Sequence, residues 1–290
     1  MARIARDGVS RPLDKPTVIA ADVMAFAQAV DFNIDPSIAF HELGHKEGNE
    51  IACEELAWFR VADEGNARGW IDLAQGRINQ LSSDLAPDIE HLDLAHPLER
   101  WRRNYIVAHK VAELELSGRT PVRRALALFE WMVDDFFLAG PAAIFATMYF
   151  SPFARKRRLL KHLRSRDRER ALSGLKNAAW DMTHLSELSR RAKMSTKSNT
   201  FYAFATADKG LAEIAPVLTI DAQEEDFAGE LARRLAGWWK PADAETLADS
   251  LFQHIRKIEG RAPPGPSWIS DDPIQDLIDQ AEARVRGWRG

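Results

Sequence analysis

The sequence is poor in cysteine: Cys53 is the only one in 290 residues. That excludes a disulfide framework and any zinc site built on several thiolates. Cys53 lies on the apolar side of the helical pattern EIACEELAWF and reads as a small buried residue. Long apolar runs are missing too. A run such as GPAAIFATMYF, at 140–150, is too short to span a bilayer. The opening MARIARDGVSRPLDKP has no apolar stretch of the kind a secretory signal needs. The expectation is a cytoplasmic protein without a membrane partner. Positive charge is not in excess, because the formal net charge is −4. Any nucleic-acid contact must then come from a local basic patch rather than the global field. No internal repeat and no low-complexity tract occurs. Ser186, Ser189, Cys53 and His184 stand in no nucleophile-elbow or Cys–His setting, so covalent catalysis is not expected.

What is present suits a folded protein with a sizeable core: 46% hydrophobic and 28% charged residues. Residues 1–15 read as a loose arm. TVIAAD, ending at Asp22, reads as a short buried strand, and FYAFATA (201–207) as another. VLTI reads as a last strand. AAIFATMYF is compatible with a buried strand or a helix. Helices are expected from about Pro36 to His45, over the following NEIACEELAWFRVADEG, from about 97 to 116 and from Pro121 onward. The last two form an αα-hairpin around Ser117-Gly118. Further helical patterns cover the stretch leading through Asp181, then 221–239, 242–259 and 273–287, with APPGPS (262–267) as a linker.

Four acids come from four separate expected elements: Asp22, Glu42, Asp181 and Asp208. Carboxylates at strand ends suit hard divalent cations, and one or two Mg²⁺ or Mn²⁺ ions there would serve phosphodiester hydrolysis. The setting of each acid resembles the PIN-like nuclease family. VIAAD ends in Asp22, PSIAFHEL carries Glu42, NAAWD carries Asp181 and FATADKGL carries Asp208. The resemblance covers about 16–60 and 165–220. It implies a three-layer α/β/α fold with a small central, mostly parallel sheet. The PIN-like domain would span 16–220, with a helical insertion at about 65–165 and a helical C-terminal extension at 221–290. It also implies a metal-dependent ribonuclease, as in many toxin–antitoxin effectors, with RNA as substrate and an inhibitory protein as partner. Asn177, Thr206 and Lys209 would then position water or substrate. Glu54, Glu55 and Glu113 are substitutes for Glu42, whose spacing from Asp22 is short for the family. An inactive PIN-like scaffold that only binds is a further reading.

A second chemistry competes for Glu42. His41-Glu42-Leu43-Gly44-His45 is an H-E-x-x-H on an expected helix. Two histidines four apart share one helix face and can hold Zn²⁺, with the Glu as general base. The motif resembles the zincin metallopeptidases, and Glu50, Glu54 or Glu55 would supply a third ligand.

The last feature is a basic run. Arg155, Lys156, Arg157, Arg158, Lys161, Arg164, Arg166, Arg168 and Arg170 are interrupted by only two acids, Asp167 and Glu169. Such a run can contact phosphates and make binding salt-dependent. Of the nine tryptophans, Trp180, Trp238 and Trp239 read as packing residues.

Overall fold

The protein is described by a computed structural model covering residues 1–82, 85–155, 159–195, 200–220, 226–259 and 272–288. It divides into two compact units, 1–98 and 99–290. Both are helical. Among the described residues there is no β-strand, so the expected α/β/α architecture and its central sheet are not formed.

The reasons are local. TVIAAD lies inside helix α2 (Lys15–Ala29). Asp14 caps that helix by accepting the Thr17 N–H at 2.9 Å, and Pro16 sits in its first turn. Ala21, Met24 and Ala27 are then buried three residues apart. Cap and period outweigh the β-branched residues Thr17, Val18 and Ile19. AAIFATMYF belongs to helix α8 (Gly140–Phe150), which is buried all round. VLTI falls mostly within a short 3₁₀ helix, Ala215–Thr219. FYAFATA takes neither helix nor strand. Exposure alternates along it, with Phe201, Ala203 and Ala205 outward and Tyr202, Phe204 and Thr206 half-buried.

The first unit begins with α1 (Ala2–Asp7), so residues 1–15 are no loose arm: Ala2 and Ile4 are buried and α1 packs on the helix Asn49–Asp63. α3 (Ser37–Glu47) and α4 (Asn49–Asp63) pack on each other, and α2 packs on α5 (Ala67–Ala74). Trp70 of α5 is fully buried and donates its indole N–H to the Ala62 carbonyl at 3.1 Å.

In the second unit α6 (Glu99–Leu116) and the long α9 (Arg168–Ser195) pack along each other. α7 (Pro121–Asp134) folds back on α6 as the expected hairpin. α8 lies between, carrying Phe145, Met148 and Phe150 with no exposure. Burial of each such side chain contributes roughly 1.5–3 kcal/mol. α10 (Lys209–Ile214) and the 3₁₀ helix follow. α11 (Phe227–Leu235) packs on α12 (Pro241–Ile258), and α12 on α7. α13 (Pro273–Gly287) rests on α6 and α9, where the Tyr105 hydroxyl donates to Glu282 at 2.7 Å. The expected C-terminal extension thus shares a unit with α6 and α9. The expected linker 262–267 lies outside the described residues.

Candidate nucleic-acid interface

The basic run enters the second unit just after α8. Lys156, Arg157 and Arg158 lie outside the described residues. The next segment has a simple logic. Leu159, Leu160 and Leu163 are buried at 4–5% exposure, and they anchor a chain whose Lys161, His162 and Arg164 face solvent. His162 takes the left-handed conformation, φ 60°, and its carbonyl accepts the Ser165 N–H at 2.8 Å. The segment lies tight on α9. A Cβ added at Gly174 would meet the Lys161 carbonyl oxygen at 1.9 Å, so glycine is what lets the two backbones meet.

This segment forms one wall of a cleft of about 830 Å³. Lys161, His162 and Arg164 line it, together with Leu160, Glu115 at the end of α6 and Tyr149 of α8. Glu115 is 6% exposed and is held by Arg124 at 2.6 Å, with Arg164 at 3.9 Å. Burial pushes the Tyr149 hydroxyl well above the usual phenol range, so it stays neutral. The cations of the basic segment are differently placed. Among the described residues Arg155, Lys161, Arg166 and Arg170 have no carboxylate partner. Arg164, 76% exposed on its side chain, touches Glu115 only at long range. Arg168 instead donates to the carbonyls of Ser165 and Trp288.

An exposed aromatic stands two residues before Arg155. Phe153, 64% exposed, lies in the turn between α8 and Arg155. Its N–H donates to Ser151 Oγ at 3.1 Å, and the Ser151 hydroxyl donates to the Trp238 carbonyl. The ring is therefore held outward by a fixed turn.

The acids expected to bind metal are shared between the units, two in each. In the first unit Asp22 is exposed on α2. Glu42, half-buried on α3, is paired with Lys46 at 2.5 Å. The HELGH motif does lie on a helix. His41 Nδ1–H donates to the Leu94 carbonyl at 3.1 Å, and a Cβ at Gly44 would sit 2.7 Å from that same oxygen. His45 is half-buried on the same helix. Asn49 continues the contact, taking the N–H groups of Leu94 and Ala95 on its side-chain oxygen and donating to the Leu92 carbonyl. His41 and Gly44 thus dock α3 on the 92–95 segment.

In the second unit Asp181 accepts from Asn177 one turn earlier on α9, at 3.1 Å. Asp208 is the N-cap of α10: one carboxylate oxygen accepts the N–H groups of Gly210 and Leu211 at 2.7 and 3.2 Å. Thr206 Oγ1 accepts the Asp208 N–H in the same turn, and Lys209 is exposed at the start of α10. The cap lies next to the basic segment, because Gly210 abuts Leu159. Within either unit the described residues bring together no group of three or more His, Cys, Asp or Glu able to hold a metal. The donor set expected for Mg²⁺, Mn²⁺ or Zn²⁺ is therefore not assembled within either unit, and no reaction step follows from it.

Sequence reading missed Glu115 and Tyr149. The signal for Glu115 was its register: it shares the apolar face of α6 with Val111, Ala112 and Leu114. Tyr149 gave none, because it sits in a uniformly apolar run. No helix among the described residues is long and apolar enough to cross a membrane. Compared with known protein families, curated proteins and solved structures, the chain matches none.

Proposed function

We propose that the second unit binds single-stranded RNA along the segment 155–170. The observation that carries this reading is the set of cations in the basic segment without carboxylate partners among the described residues, of which Lys161 lines the 149/160–165 cleft. Phosphates neutralised by such cations release counterions, which drives binding even on a protein of net negative charge. A single strand is favoured over a duplex by Phe153. Stacking one base on such a ring contributes about 1–3 kcal/mol, and only an unpaired base offers its face. These groups suit a single strand with either sugar, and the test below separates RNA from DNA.

The test is fluorescence anisotropy of a labelled oligouridylate with the full chain. Binding should weaken at least about tenfold in Lys161→Glu/Arg166→Glu with unchanged helicity. No binding by the wild type would contradict the reading, and equal binding of oligodeoxythymidylate would contradict the choice of RNA. The same samples test for cleavage. Shortening of the RNA with added Mg²⁺ or Mn²⁺, lost in Asp208→Asn, would extend the function to a ribonuclease. Asn caps a helix about as well as Asp, so that variant removes charge and keeps the cap.

A further inference from the structure

The second unit holds another pocket with different chemistry. It has a volume of about 350 Å³ and opens between α6, the turn joining α7 to α8, and α9. Ligand pockets run roughly 300–1,000 Å³, so this one suits a small molecule. Its walls are largely apolar: Phe136 and Phe137 from the turn face Val107 of α6. Phe136 is 1% exposed and stacks on Trp131 at 5.0 Å, so that wall is firm.

Its polar lining residues are Glu99, Arg100, Arg103, Asn104 and Ser186. Asn104 lines the pocket at 2% exposure. Its amide N–H donates to Thr183 Oγ1 at 3.1 Å, and Thr183 passes its own proton to the Ala179 carbonyl at 2.7 Å. That is the amide's one hydrogen bond among the described residues. A primary amide offers two donors and a carbonyl acceptor, and buried amides are ordinarily satisfied. Asn104 therefore has capacity left for a guest. Ser186 stands opposite, with its proton committed to the Met182 carbonyl and its oxygen able to accept.

The charge around the pocket is positive. The Arg103 guanidinium lies 5.0 Å from the centre of the Phe137 ring and has no carboxylate partner among the described residues. Arg100, also in the wall, shares Glu187 with Arg190 and Arg191, so three guanidinium groups meet one carboxylate. Glu99 is engaged by Arg102 at 2.8 Å.

We propose that this pocket binds a small organic anion, a carboxylate carried on a flat apolar body. The carboxylate would meet Arg103, the body would lie against Phe136, Phe137 and Val107, and Asn104 would bond a polar substituent. Arginine suits this task because its planar fork matches a carboxylate while its face rests on an aromatic ring. The site is separate from the proposed RNA-binding segment, and its test does not depend on RNA.

The probe is 4-(trifluoromethyl)benzoate, followed by ¹⁹F NMR at millimolar concentration with the full chain. The wild type should broaden and shift the signal saturably. Arg103→Gln, an exposed change, should weaken binding at least about tenfold. Ala139→Leu, which fills the pocket from the turn, should do the same. The neutral 4-(trifluoromethyl)benzyl alcohol should bind at least about tenfold more weakly than the acid. No saturable binding, binding unchanged in both variants, or equal binding of acid and alcohol would each overturn the proposal.

Discussion

Helix α9 treats its arginines in two ways. In its C-terminal half Arg190 and Arg191 converge on Glu187, joined by Arg100 from α6 at 2.8 Å. At its N-terminal end, and just before it, Arg166 and Arg170 have no carboxylate partner among the described residues. The residue type is the same and the local density of charge is similar. What differs is who completes the interaction. Around Glu187 the protein does so, and Arg190 first among the three holds that carboxyl down at about 2. In the basic segment no described residue does so. A run of arginines is thus a binding feature only where the fold withholds the counter-charges.

Gly174 seats the basic segment on α9. Gly174→Ala would place a methyl group against the Lys161 carbonyl, a backbone group that cannot swing away. It should cost about 2–4 kcal/mol of stability and release the 159–165 segment, lowering RNA affinity as well. Urea denaturation checks the first effect. A loss below about 0.5 kcal/mol would show that the backbones do not meet as described.

The buried face of α6 carries a titratable group with no hydrogen bond among the described residues, His109. His109 is 6% exposed, packs edge-on against Tyr105 at 4.5 Å, and neither ring nitrogen has a hydrogen-bond partner among the described residues. Burial pushes it down to about 4, against the nearby Glu282; Lys176, Arg284 and Arg286 push in the same direction as burial. Its ordinary value is 6.5, so the folded state resists a proton that the unfolded chain accepts. The stabilisation is full above about pH 6.5 and is lost as pH falls through about 4. It amounts to at most about 3 kcal/mol. His109→Phe should flatten stability against pH over that window. An unchanged slope would mean that His109 is hydrated.

Glu187→Gln sharpens the contrast within α9. Three guanidinium groups would lose their shared charge, at a cost of about 1–2 kcal/mol, since the site is partly solvated. The carboxyl is depressed, so its contribution is present above about pH 4.5 and fades toward pH 2. RNA affinity should stay as in the wild type. A smaller effect is expected of Phe153→Ala: about 1 kcal/mol less affinity for a single strand, with no change in thermal stability. Equal loss for duplex RNA would argue that Phe153 supports the turn rather than a base.

Much of the helical framework was legible in the sequence, for identifiable reasons. Pro121 at a first helical position, the Ser117-Gly118 break and the apolar periods of α4, α6, α12 and α13 all mark helices. The strands were misread where composition outweighed context. Thr17, Val18 and Ile19 favour a strand, but Asp14 and Pro16 start a helix just before them. FYAFATA has the alternation of an extended chain, and alternation alone does not supply a neighbour to pair with.

The basic segment was visible as charge, whereas its cleft was not. Glu115 and Tyr149 come from two other helices, and only packing brings them to Lys161 and Arg164. Asn104 was hidden for the same reason, though a polar residue in register with Trp101 and Ala108 is a mark of an unusual face. HELGH shows the converse case. The motif is real and helical, and the structure gives His41 and Gly44 the work of docking α3 on Leu94.

The central claim is that cations without partners, not cations in general, hold RNA. Its most direct test is the salt dependence of oligouridylate binding in two double variants. The slope of log K against log salt changes by about 0.7 for each phosphate contact on a single strand. Lys161→Glu/Arg166→Glu should flatten it by about 1.4 or more. Arg190→Gln/Arg191→Gln, which removes as much formal charge from the paired cluster as two neutral substitutions can, should leave the slope unchanged. If the second variant flattens the slope as much as the first, or the first leaves it unchanged, the account is contradicted.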